Sequence, residues 1–170
     1  MKCIDVLIEE HHQILQVMDK VESHIIQKNH DLKLIEDALQ FFGYYADDFH
    51  HAKEEKILFK WMVMNIPTLE FGPVAQMLAD HDSCRALMKR SSDHVEKLKV
   101  DFEQVVYEDL CESLGAFINL QRDHIAKEDS VLYAMARSID INVNGGDEYM
   151  MPYFDKVQLS EDNKIHMTQF

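Results

Sequence analysis

Residues 50–59 read HHAKEEKILF, and residues 124–133 read HIAKEDSVLY. Each stretch sets a histidine four residues ahead of a glutamate, a spacing that stacks the two side chains on one face of a helix. A shorter motif is also written twice. LIEEHHQILQVM (7–18) aligns without gaps on MLADHDSCRALM (77–88), with an acid and a histidine in register at Glu10-His11 and Asp80-His81. The order along the chain is short, long, short, long, at offsets of 70 and 74 residues. Two equivalent helical hairpins packed with approximate two-fold symmetry would produce this pattern.

Outward from these motifs, apolar residues recur at helical spacing in four segments. The first carries Ile4, Leu7, Ile8, Ile14, Leu15, Met18, Val21 and Ile25 and ends near Lys28-Asn29-His30. The second runs from about Asp31 to Met64 through Ile35, Leu39, Phe42, Ala46, Phe49, Leu58 and Trp61, and is broken by Pro67 and Gly72-Pro73. The third carries Val74, Met77, Leu78, Leu87, Met88, Val95 and Leu98, with Pro73 suited to its first turn. The fourth starts near Asp101 and carries Val106, Leu110, Leu114, Phe117, Leu120, Val131, Leu132 and Met135. Asn144-Gly145-Gly146 then forces a turn before a short apolar segment (Tyr149, Met150, Tyr153, Phe154, Val157), and the last dozen residues read as frayed. Strand patterns are weak throughout. The expectation is an all-α, antiparallel up-down four-helix bundle over residues 1–140. Residues 141–170 form a C-terminal extension with a short helical segment, packed on the bundle or trailing from it.

Composition narrows the partners. The 170 residues fit one domain with a real core. With 31 acidic against 17 basic residues, the net charge of −14 argues against nucleic acid and an anionic membrane surface, and against an acidic redox partner. No apolar run approaches the roughly 20 residues that span a bilayer, and the acidic N-terminus does not suit a signal peptide. Cys3, Cys84 and Cys111 form no C-x-x-C pair and read as reduced thiols. A cytoplasmic location is expected.

The polar residues on the apolar stripes carry the chemistry. His11 lies on the first stripe, His50 and Glu54 on the second, His81 on the third, His124 and Glu128 on the fourth. Burying that many ionisable groups without a strong partner would cost several kcal/mol each. Their heights are compatible. His11 stands about 25 Å above the end of its helix at 1.5 Å per residue, and His50 about as far above the start of the next; the second hairpin is longer by about a turn. A lone inward histidine, or one H-x-x-x-E pair, is common in core or solvated settings. Two matched pairs with two matched single histidines point instead to a first-row metal site of iron, manganese or zinc, arranged as two half-sites bridged by the glutamates.

His12, His51 and Glu55 flank these positions and are expected beside the site or on the surface, although a one-residue register shift would bring them in. Glu10 and Asp80 are placed to accept a hydrogen bond from a ligand's other ring nitrogen. Cys84 reads as a small buried hydrophobe. Tyr44, Tyr45 and Tyr133 read as packing residues, with Tyr133 bordering the cluster. His24, His30, His94 and His166 read as surface.

With L-x-E-E-H (7–11), H-H-A-K-E-E (50–55), G-P-V-A-Q-M-L-A-D-H (72–81) and H-I-A-K-E-D (124–129), the chain resembles the hemerythrin-like, or HHE cation-binding, family over about residues 4–138. The resemblance implies a four-helix bundle holding a non-haem di-iron centre. It makes His11, His50, Glu54, His81, His124 and Glu128 the ligands of two iron ions, carboxylate-bridged by Glu54 and Glu128 and joined by an oxo or hydroxo group. One departure stands out. Oxygen-carrying members have an H-x-x-x-H pair on the third helix, whereas here His81 is followed by Arg85, and helix 4 offers a glutamate in place of an aspartate. The set of four histidines and two glutamates is similar to the bacterial branch. It implies binding of, or reaction with, O2 or NO, as a gas or redox sensor. The alternative it implies is an oxidoreductase decomposing peroxide or NO, or an iron-handling or repair protein. A ferritin-like role fits less well, since such sites want two Glu-x-x-His motifs and only Glu9 to His12 matches. A redox or signalling protein partner and a homo-oligomer both remain open.

Overall fold

The computed structural model describes residues 1–159, so the expectation of a frayed terminus and the placement of His166 lie outside the described residues. Among the described residues the chain is helical with no strand, as four long antiparallel helices and a short fifth. Helix α1 is Lys2–Ile26. Helix α2 spans 32–65 and opens on Asp31, whose carboxylate accepts from the backbone N–H of Lys33 (3.0 Å) and Leu34 (3.3 Å). Such an acid at the helix entrance satisfies donors that have no partner within the helix. A 3₁₀ turn, Pro67–Phe71, leads to α3 (Pro73–Val100), with Pro73 in the first turn. Helix α4 spans 104–143, three residues later in its start than the apolar spacing indicated. Gly145, at φ 86°, takes the left-handed turn into α5 (Gly146–Phe154).

Two of these helices are not uniformly wound. Helix α2 opens into π turns over Phe42–His51 and Glu54–Leu58, and α4 does so over Glu128–Leu132. The turns at Glu54 and Glu128 occupy equivalent places in the internal repeat. A π turn adds about one residue, and so about 100° of rotation, to everything that follows it. That corrects the fourth stripe. Val131 and Met135 are 48% and 36% exposed, whereas Leu132 keeps its expected place in the core and Tyr133, Ala136 and Ile139 join it there. Three further expectations fail on burial: Leu78 is exposed, Tyr44, expected to pack, is exposed too, and His24, expected on the surface, is buried with its Nε2 lacking a hydrogen-bond partner.

The apolar interior comes in two storeys. One contains Ile14, Met18, Val21, Ile35, Phe42, Leu110, Leu114 and Phe117. The other contains Ile4, Leu7, Leu58, Trp61, Met62, Val74, Tyr133 and Ala136. In every long helix buried polar residues stand between them: Glu10 and His11; His50, His51, Lys53 and Glu54; Asp80 and His81; and His124 and Glu128.

The short α5 closes one end. No side chain near Met1 caps α1, but the Asp147 carboxylate of α5 accepts from the backbone N–H of Lys2 (2.6 Å) and Cys3 (2.9 Å). Gly146 lets α5 come this close, since a Cβ there would stand 2.6 Å from Asp140 Oδ1 and 2.9 Å from Trp61 Cζ2. The Asp147→Ala variant should lose about 1 kcal/mol of unfolding free energy, read by denaturant titration, with metal content unchanged.

Candidate metal centre

Between the storeys, side chains from all four long helices converge on a cage. Two groups of buried donors meet there: His11, His50, Glu54 and Glu128; and His51, His81, His124 and Glu54, each with its donor atoms within 4.8 Å of one another. Glu54 is common to both. All six residues singled out by the stripes therefore meet, and His51, expected beside the site or on the surface, joins them. His51 is buried and stacks on the His81 ring at 3.8 Å. Its entry follows from the π winding of Phe42–His51, which lets neighbouring His50 and His51 both face inward where a regular helix would turn one away. His12 stays on the surface against Glu9, and Glu55 lies half-buried behind His81.

Each imidazole has a carboxylate behind it. The Nδ1 of His11 meets Asp129 (2.9 Å), that of His50 meets Glu10 (3.0 Å), that of His51 meets Asp47 (3.2 Å) and that of His81 meets Glu55 (2.8 Å). His124 Nδ1 stands 3.5 Å from Asp80. An Nδ1–H donating outward fixes the tautomer that leaves the Nε2 lone pair pointing inward. Behind the carboxylates stand cations: Lys53 on Glu10, Lys127 on Asp80, and Arg85 on both Asp47 and Glu55. Glu10 and Asp80 were legible in the sequence as such supports. Glu55, expected beside the site or on the surface, stands beside it; Asp129 and Asp47 were not singled out, although the repeated acid after each cage glutamate and the Asp47/His51 spacing of four were available signals.

The inner spacings suit a metal. His81 Nε2 and His124 Nε2 are 3.0 Å apart. Glu128 Oε2 is 3.1 Å from His124 Nε2 and 3.3 Å from His11 Nε2, and Glu54 Oε2 is 3.5 Å from His81 Nε2 and 3.6 Å from His50 Nε2. Donors about 2.1 Å from one ion stand about 3.0 to 3.4 Å apart, depending on geometry. Each glutamate thus spans the two donor groups. His50 Nε2, Glu54 Oε2 and both Glu128 carboxylate oxygens are buried without a hydrogen-bond partner. Buried polar atoms left this way are rare and costly, and a cation among them is the compensation that the donor chemistry fits.

Electrostatics agree. Burial, then the charge on His11, push the His50 pKa well below its ordinary range, and burial with His81 pushes His51 down to about 3, so both rings are neutral and available. Burial and the neighbouring Glu128 raise Glu54 well above the usual carboxylate range. Burial also opposes charge on Glu128, but His124 and His11 outweigh it and keep that carboxylate ionised. His11 is raised to about 9: burial disfavours its charge, and Asp129 and Glu128 more than restore it.

The sequence matches the family described as hemerythrin HHE cation binding domain over residues 3–136. No curated protein and no solved structure matched. Proteins of this family bind metal cations, typically iron, and the buried histidine and glutamate clusters fit that role. Among the described residues no helix is long and apolar enough to cross a membrane.

Two outcomes are expected. A metal takes only neutral imidazole and ionised carboxylate. His11 in the metal-free cage holds its proton below a pH of about 9. Metal uptake at neutral pH should therefore release protons, and affinity should rise with pH towards that value and fall in acid. Calorimetry in buffers of different ionisation enthalpy reads both, and uptake without proton release would contradict the assignment. Secondly, Arg85→Ala frees both Asp47 and Glu55, the supports of His51 and His81, and should weaken metal binding by about 10- to 100-fold, measured by competition with a chelator.

Proposed function

We propose that this chain, which belongs to the hemerythrin HHE cation-binding family, holds two iron ions and uses them to bind or react with O2 or NO. His11 and His50 serve one ion, and His51, His81 and His124 the other. Glu54 and Glu128 would hold both ions, and an oxo or hydroxo group would complete the pair. The observation that carries this reading is the sharing of Glu54 between two buried donor groups, which suits two ions better than one. Iron so bound supplies electrons and an exchangeable coordination position to a small diatomic ligand.

The histidine count is unequal, three against two, so the His11/His50 position has fewer protein donors and is where an external ligand would enter. The missing second histidine of α3 bears on this. Arg85 stands in its place one turn after His81, and His51 supplies the imidazole from α2. Arg85 holds Asp47 (Nε to Oδ1, 2.9 Å), and Asp47 in turn holds His51. The protein's part is to orient the rings, keep water out of a fully buried cage, and hold Glu128 ionised.

The test is metal content of protein purified without oxygen, followed by the optical spectrum before and after air. Two irons per chain and near-ultraviolet bands of an oxo-bridged diferric unit are expected. One metal or none, or zinc with no response to air, would sink the proposal. Sustained turnover of peroxide or NO would move the assignment to the oxidoreductase alternative at the same site. His51→Ala should bring iron content below two per chain, while His12→Ala, on the surface, should leave it intact.

A further inference from the structure

The cage is nearly two-fold symmetric, and its exceptions are informative. His11 corresponds to His81, His50 to His124, Glu54 to Glu128, Glu10 to Asp80, Lys53 to Lys127 and Glu55 to Asp129 in the sequence repeat. The contacts follow the same rule. Glu10 stands behind His50 at 3.0 Å as Asp80 stands behind His124 at 3.5 Å, and Glu55 supports His81 as Asp129 supports His11. Two positions break it inside the cage. His51 corresponds to Ile125, and Tyr133 corresponds to Phe59.

Tyr133 and Phe59 occupy equivalent places. Tyr133 stacks on His11 at 5.5 Å and 10°, and Phe59 stacks on His81 at 6.0 Å and 20°. Packing therefore needs only the ring, and the Tyr133 hydroxyl is an added oxygen. It is fully buried and points into the cage, 2.6 Å from Glu54 Oε1 and 3.4 Å from His11 Nε2. The 3.4 Å spacing to His11 Nε2 matches the separation of donor atoms sharing one ion, while the 2.6 Å contact is a hydrogen bond that the phenol donates to Glu54 and that coordination would replace. The two exceptions also divide between the two halves: His51 adds a donor beside His81 and His124, and Tyr133 adds one beside His11 and His50.

We propose that Tyr133 is an iron ligand, its phenolate oxygen coordinating the ferric ion held by His11 and His50. This rests on the di-iron reading above. Coordination forms an iron–oxygen bond and releases the phenol proton to solvent, along with the other protons displaced on metal uptake. The phenolate adds a third negative charge to the two bridging carboxylates, which favours the ferric state over the ferrous. The oxidised centre is then closed where an external ligand would enter. One electron from an external reductant and one proton from solvent reduce that iron, break its bond to the oxygen and return the phenol to Glu54. The vertex is then open to a diatomic ligand only in the reduced protein.

The test is the visible spectrum of the air-oxidised, iron-loaded full chain, with resonance Raman excitation in any visible band. Wild type should show a tyrosinate-to-iron charge-transfer band with enhanced tyrosinate ring modes, bleached by dithionite. Tyr133→Phe, which copies the ring already tolerated at Phe59, should keep two irons and the near-ultraviolet bands but lose the visible band entirely. Azide should perturb the oxidised variant and leave oxidised wild type unchanged. Two irons in wild type with no tyrosinate band, or a band that survives in Tyr133→Phe, would overturn the proposal while leaving the di-iron reading intact. Failure to load two irons would overturn both.

Discussion

Two glutamates and five imidazoles buried at the midpoint of a helical bundle are the constraint on which the rest of the structure depends. A carboxylate moved out of water without compensation costs far more than one helix pair returns through apolar burial. The chain answers in concentric layers. Outermost are Lys53, Lys127 and Arg85; within them stand Glu10, Asp47, Glu55, Asp80 and Asp129; then the imidazoles; and at the centre Glu54 and Glu128. Cations back carboxylates, carboxylates back imidazoles, and the imidazoles close on two central carboxyl groups that face one another. A multivalent cation is the natural next layer, and the unpartnered inner oxygens mark where it belongs.

The backbone is shaped by the same demand. A helix of 3.6 residues per turn presents one residue in three or four to a core. Helix α2 must deliver His50, His51 and Glu54 within five positions, and α4 must deliver His124, Glu128 and Tyr133 within ten. Unwinding into π turns widens the inward face enough to do so. Those turns carry poorer hydrogen-bond geometry than a regular helix, and they persist because both apolar storeys clamp the helix on either side.

This explains which parts of the molecule could be read from sequence. Regular periodicity located all four long helices, the turn at Asn144-Gly145, and the inward faces of His11, His50, Glu54, His81, His124 and Glu128. Inference failed at two of the π turns, Phe42–His51 and Glu128–Leu132, while Leu58 and Trp61 at and beyond the third were placed correctly. His51 was placed outside because a regular helix separates neighbours by about 100°, and Val131 and Met135 were placed inside because the extra residue at Glu128–Leu132 was invisible. Supports reached from another helix were half legible. Glu10 and Asp80 precede a cage histidine in sequence, whereas Asp129 reaches His11 from 118 positions away and only the fold brings them together. Asp147, which caps α1 from 144 positions beyond Cys3, is of the same kind.

The cage also sets how metal and stability are connected. Because the polar layer separates the two apolar storeys, the hydrophobic effect alone does not hold the bundle together at its middle. Without a cation the layer relies on a proton carried by His11 between Asp129 and Glu128 and on protonation of Glu54, both of which leave lone pairs facing one another. With a cation the same groups become its ligands, and the binding free energy enters the folding free energy directly. At a free metal concentration about 1,000 times the dissociation constant, that linkage is worth about 4 kcal/mol per site. For the two ions proposed above, the sum would approach the net stability of a typical domain, which is roughly 5–15 kcal/mol. The bundle is therefore a scaffold for the site and also depends on it. Groups that would be liabilities in an ordinary core are retained because the metal-bound state turns each of them into a bond.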